Sequence, residues 1–134
     1  MGTYLSTPVT EKCHESGESL DCPLVKTSWG VVDMQGWRKS MEDSHIAVTD
    51  ISVPKHLSDV DAKIFGVFDG HGGPEVARFV QLYLVSVLTQ QSTWKHAETK
   101  DQENIMDVAQ KGVGQALVET FHALDRMVDD PRRR

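Results

Sequence analysis

Ile64-Phe65-Gly66-Val67-Phe68-Asp69-Gly70-His71-Gly72-Gly73 is the stretch on which the fold turns. Short apolar runs rich in Val, Ile and Phe, bounded by turn residues, read as strands. This run ends in a carboxylate and a glycine-rich turn, and Pro74 then opens a long apolar segment. Proline is well accepted at the first helical position, because the N–H it lacks would be unpaired there anyway. The segment therefore predicts strand, turn and helix, with Asp69 where strand gives way to loop. An acid at that point reaches a cleft while the strand fixes its position, as a metal or acid/base site requires. Alone, an Asp-Gly reads more readily as a plain turn, so its chemistry depends on what the neighbouring segments bring.

Toward the N-terminus, the pattern predicts three strands. Ala62 to Phe68 forms the third, preceded by a polar loop over Pro54 to Asp61. Ser44 to Ser52 forms the second, with Ile46 and Val48 facing one way and Ala47, Thr49 and Ile51 the other. Trp29, Val31, Val32 and Met34 form the first, ended by Gln35-Gly36. Gly36-Trp37-Arg38-Lys39-Ser40-Met41-Glu42-Asp43 connects the first two strands and carries two adjacent acids and a guanidinium. Sequential strands usually neighbour one another, so Glu42 and Asp43 are expected beside Asp69.

Toward the C-terminus, a helix is expected from Pro74 to about Gln91, with Val76, Phe79, Val80, Tyr83, Leu84, Val87 and Leu88 as its apolar face. Its start would place unpaired N–H groups and a positive dipole end near the turn, where a phosphate can bind. Gln90 to Gln102 reads as a loop. A second helix is expected from about Glu103 to Met127, with Ile105, Val108, Ala109, Gly112, Ala116, Leu117, Phe121, Leu124 and Val128 on its apolar face, stopped by Asp129-Asp130-Pro131. These stripes are expected to pack on the sheet.

Residues 1–24 show neither helical nor strand period and read as a flexible, extended arm on the surface; residues 25–134 carry the folded portion. The arm opens Met1-Gly2-Thr3-Tyr4-Leu5-Ser6, which fits the pattern for myristoylation of Gly2. One myristoyl chain gives only reversible membrane binding. Cys13 and Cys22 lack paired zinc-ligand spacings and are taken as free thiols. With no signal peptide pattern, the expected setting is cytoplasmic or nuclear, with peripheral membrane association through the acyl chain. The length of 134 residues suits one domain or a piece of one, and a net charge of -6 argues against nucleic acid as a partner.

Glu42, Asp43 and Asp69 make an oxygen-rich acid set, and hard cations such as Mg2+ or Mn2+ prefer it. Two such ions about 3.5 to 4 Å apart can share a carboxylate and generate a nucleophilic water at neutral pH; Asp69 is the candidate shared ligand. Arg38 supplies a planar fork that matches a phosphate. Histidine ordinarily ionises near physiological pH, so His71 is the candidate acid for a leaving-group oxygen. An esterase reading of His71-Gly72-Gly73 fails for want of a G-x-S-x-G elbow.

Trp37-Arg38-x-x-Met41-Glu42-Asp43, followed by Phe65-Gly66-Val67-Phe68-Asp69-Gly70-His71-Gly72-Gly73, resembles the N-terminal half of the type 2C metal-dependent Ser/Thr protein phosphatases. The opening Met1-Gly2 with Leu5 and Pro8 is similar to myristoylated members. The resemblance implies an α+β fold, a four-layer αββα sandwich of antiparallel sheets flanked by helices, of which this chain holds the N-terminal half. It implies two Mn2+ or Mg2+ ions bridged by Asp69, with the Gly70 carbonyl on one of them and Glu42 and Asp43 contributing directly or through water. Arg38 would hold the phosphate of a phosphoserine or phosphothreonine protein and His71 would act as acid. Family members carry later Asp-Gly and Asp-Asn motifs that this sequence lacks. The chain is therefore expected to be a fragment of weak or no activity alone, or a non-catalytic module that pairs with another chain or itself to complete the sandwich.

Overall fold

The computed structural model of the chain describes residues 4–19, 26–54, 61–95 and 105–129, with side chains of the last segment described from 111 onward. The chain is α+β: strands β1 (Tyr4–Ser19), β2 (Thr27–Arg38), β3 (Ser44–Val48) and β4 (Ile64–Phe68), then helices α1 (Glu75–Gln90), α2 (Ser92–Lys95) and α3 (Ile105–Val128). β1 pairs with β2 and β3 with β4, both antiparallel, giving two two-stranded sheets. These are elements of a partial sandwich of the expected class. The chain divides into two compact units. One contains the four strands and the start of α1; the other contains residues 51–54, the rest of α1, α2 and α3.

In the strand unit, β3 and β4 run in the register Ser44↔Phe68, Ile46↔Gly66 and Val48↔Ile64. Ile46 is buried and lies over Gly66, where an added Cβ would already touch its side chain at 3.5 Å. The opposite face carries Phe65 and His45 toward the other sheet. The Phe65 ring lies 6.4 Å from that of Trp29 on β2. His45 Nε2 is 3.2 Å from Glu15 Oε2, and its Nδ1 is 4.0 Å from Asp33 Oδ2.

Residues 4–19, read above as an arm without period, are instead strand β1. The pattern was invisible because most of its side chains are exposed on both faces, so nothing selects apolar residues at alternate positions. Backbone pairing to β2, from Ser19↔Thr27 to Tyr4↔Arg38, forms the strand without it. β2 also continues past the expected stop at Gln35-Gly36. Gly36 adopts a φ of 67°, beside a register irregularity, so a bulge re-aims the strand toward Arg38 instead of ending it. The Gly2 and Cys22 expectations lie outside the described residues; Cys13 is a free, exposed thiol.

The helical unit corrects the expected faces. α1 buries Leu84, Val87 and Leu88, while Tyr83 is exposed. α3 buries Ala116, Thr120 and Leu124, an i, i+4 row, and leaves Phe121 exposed. Thr120 joins that row because its hydroxyl donates to the Ala116 carbonyl at 2.7 Å, so burial leaves no polar atom unpaired. Within the expected loop after Gln90 lies α2, anchored by buried Trp94, whose Nε1–H donates to the Ser52 carbonyl at 3.1 Å.

Trp94→Ala is expected to destabilise the unit by about 3 to 5 kcal/mol, and Trp94→Phe, losing mainly the hydrogen bond, by about 1 kcal/mol. Denaturant melts would read both, and equal losses would deny the bond any role. The Glu119 carboxylate accepts from the Thr93 hydroxyl at 2.7 Å and from Gln115 Nε2 at 3.1 Å, and these bonds hold its pKa below the ordinary 4.5. A depressed folded-state pKa gives stabilisation that is present above the unfolded value and lost as pH falls through the folded one. Glu119→Gln should therefore reduce the fall in Tm on acidification below pH 4.5; identical Tm–pH slopes in both proteins would refute this.

Candidate functional site

The register Ser44↔Phe68 is the last pair of the β3–β4 ladder, so the residues just beyond it, Asp43 and Asp69, leave the same end of the sheet. Antiparallel pairing thus makes neighbours of two acids 26 positions apart in the chain. β2 ends at Arg38, and Lys39 to Asp43 lead from there into β3. The result is a cavity of about 570 Å³ whose lining includes Arg38, Ser40, Met41, Glu42, Asp43, Asp69, Gly70 and His71, with Met34 and Gln35 behind.

The two segments are in direct contact. A Cβ on Gly70 would run into the carbonyl oxygen of Glu42 and come within 2.9 Å of its carbonyl carbon and of the Gly73 carbonyl oxygen. Only glycine allows that approach. The Glu42 side chain adds a second tie: Gly73 N–H donates to its Oε2 at 3.2 Å, and Ser40 Oγ donates to its Oε1 at 2.9 Å. Gln35 Nε2 donates to the Arg38 carbonyl at 2.9 Å, holding the end of β2.

Every residue expected at the site therefore lies on one cavity: Arg38, Glu42, Asp43, Asp69, Gly70 and His71. Their settings differ. Arg38, Asp43, Asp69 and His71 are exposed, whereas Glu42 is half-buried with both carboxylate oxygens engaged. Among the described residues, no three Asp, Glu, His or Cys side chains form a group that could hold a metal ion. The donors facing the cavity are nonetheless carboxylate and carbonyl oxygens. Mg2+ is commonly held by one or two carboxylates with water completing its shell, so the donor chemistry fits a hard divalent cation. The start of α1 is less open to phosphate than its position suggested. Glu75 is in its first turn and its carboxylate folds against Gly73, so this helix end already has its own anion. Ser40 and Gly73, to which the sequence assigned no role of their own, are the groups that hold Glu42. Spacing gave no signal for them beyond their nearness to the two motifs.

The α+β chain thus brings a guanidinium, two strand-end carboxylates and a histidine to one cavity. Residues 27–133 match the family model described as Protein phosphatase 2C, and the chain belongs to that family. It is 51% identical over 84 residues to Probable protein phosphatase 2C 58 of Oryza sativa subsp. japonica, covering 63% of this chain and 20% of that one. Probable protein phosphatase 2C 3 of Paramecium tetraurelia is 37% identical over 131 residues, covering 98% of this chain and 35% of its own length. Protein phosphatase 1G of Homo sapiens is 39% identical over 98 residues, covering 73% and 16%. The chain thus spans about a third or less of the length of these relatives.

Gly70→Ala is expected to cost about 1 to 3 kcal/mol by overpacking against the Glu42 carbonyl. It should also shift the amide resonances of Asp43 and Gly73. An unchanged melt with unchanged shifts would mean that the turn has room to spare.

Proposed function

We propose that the chain is the N-terminal part of a metal-dependent protein serine/threonine phosphatase and contributes half of its site. The observation that carries this reading is the single cavity shared by Arg38, Asp43, Asp69, Gly70 and His71. In this role Asp69, the Gly70 carbonyl, Glu42 and Asp43 would hold Mn2+ or Mg2+, Glu42 and Asp43 directly or through water. Such a cation, when bound, would supply Lewis acidity that lowers the pKa of water and offsets phosphate charge.

The Arg38 guanidinium binds two non-bridging oxygens of the phosphoserine or phosphothreonine and orients the ester for in-line attack. As a water oxygen bonds to phosphorus, one of its protons passes to solvent and the P–O bond to the side chain breaks. His71 delivers a proton to the departing serine or threonine oxygen, so neutral alcohol and inorganic phosphate result. The exposure of Arg38 and His71 suits a protein substrate that must reach them from solvent. Acylation of Gly2, with part-time residence at membranes and otherwise in the cytoplasm or nucleus, belongs to the same proposal.

A second reading, a non-catalytic module that pairs with another chain or a second copy, is favoured by the open apolar surface at Val32 and Val67, 65% and 71% exposed. Sizing chromatography separates these readings in part: a concentration-dependent dimer supports pairing, and a monomer at every concentration counts against it.

With Mn2+ present, the chain is expected to release phosphate slowly from a phosphoserine peptide. Asp69→Ala or chelator should abolish release, and Arg38→Ala should cut kcat/KM by about 10- to 100-fold, the loss of one charge-assisted phosphate contact. Undiminished release by the Asp69→Ala protein would remove Asp69 from the site.

A further inference from the structure

Among the acids at the cavity, Glu42 is set apart by what it touches. Its Oε1 accepts from Ser40 Oγ at 2.9 Å and its Oε2 from Gly73 N–H at 3.2 Å. These partners belong to different segments. Ser40 lies in the connection that carries Arg38 and Asp43, and Gly73 closes the turn that carries Asp69, Gly70 and His71. A carboxylate with an anchored oxygen on each side works as a clasp between the two.

We propose that Ser40 is a positioning residue of this site. By donating to Glu42 Oε1, its hydroxyl fixes the carboxylate rotamer that presents Oε2 to the Gly73 amide. The role in catalysis rests on the phosphatase reading above; the clasp itself does not. The geometry supports a clasp because the two segments already meet where Gly70 lies against the Glu42 carbonyl. Backbone contact sets their separation, and the Ser40–Glu42–Gly73 chain sets the angle of the turn. Hydrogen bonds to a charged acceptor are stronger than neutral ones, so losing the serine should be felt at the glycine. Ser40 itself is exposed, and its hydroxyl has no share in binding the phosphate or the metal in this scheme.

Three proteins test it: Ser40→Ala, Ser40→Thr, which retains the hydroxyl, and Glu42→Gln. Amide hydrogen exchange at Gly73, read by NMR, is the first measurement. Ser40→Ala and Glu42→Gln are expected to lower Gly73 protection by about three- to tenfold, the size of one such bond. Ser40→Thr should restore it. Phosphopeptide hydrolysis with Mn2+ is the second, where Ser40→Ala should lower kcat with little change in KM, and Ser40→Thr should recover it. Unchanged Gly73 protection in a folded Ser40→Ala protein overturns the clasp. Lowered protection with unchanged kcat overturns its catalytic role. Absence of hydrolysis in the parent chain overturns a catalytic role for the clasp in this chain by itself, and the exchange measurement still decides the clasp.

Discussion

The approach of Gly70 to the carbonyl of Glu42 is the contact on which the site depends. It exists because β3 and β4 pair with Ser44 opposite Phe68, which brings the segment before one strand and the segment after the other to the same sheet end. Hydrogen bonds fix that register, and a slip by one residue would invert every side chain of β4. Ile46 would then no longer cover Gly66, and Asp69 would leave the same end of the sheet on the opposite face. The two glycines differ. A side-chain methyl at Gly66 would make only ordinary contact with the buried isoleucine, whereas at Gly70 it would collide, so Gly70 is the one that lets two backbones touch.

The same constraint concentrates charge. Glu42, Asp43 and Asp69 gather on one cavity with Arg38 and Lys39 at its rim. Like charges held close disfavour one another unless they are hydrogen-bonded, solvated or bridged by a cation. Glu42 takes the first course, since serine and backbone donors serve both of its oxygens. Asp43 and Asp69 are exposed and take the second. Their exposure leaves their oxygens open to a hard cation.

What could be read from the sequence follows from where periodicity is enforced. β4 and α1 were legible because an apolar run ended at Asp69-Gly70 and a long three-to-four period followed Pro74. β1 was not, since a strand exposed on both faces has no pattern to show and is fixed by backbone pairing alone. α2 was missed because a single buried tryptophan, Trp94, anchors a helix too short to have a period. The face of α3 was misjudged at Thr120, where a hydroxyl bonded to its own helix lets a polar residue replace an apolar one. At the site, residue types and spacing singled out six of the residues that line the cavity, because charged groups clustered at strand ends are conspicuous. The hydrogen bonds that distinguish among them were not legible, since these depend on the rotamer of one carboxylate.

That distinction alters how the adjacent acids Glu42 and Asp43 should be regarded. In sequence they are a pair of equivalent carboxylates. In the fold the longer one is half-buried and reaches across to a turn amide, while the shorter one stands exposed at the strand end. The extra methylene of glutamate has a structural use here. Oε2 must span from the 38–43 connection to Gly73 while Oε1 stays within reach of Ser40, two residues back in the chain. Aspartate at this position would have to give up one of those bonds, and glutamate at position 43 would add reach and rotamer freedom to a carboxylate that the strand behind it holds short. The order Glu then Asp therefore separates two tasks that one residue could not perform together: fastening the turn, and presenting a free carboxylate to the cavity.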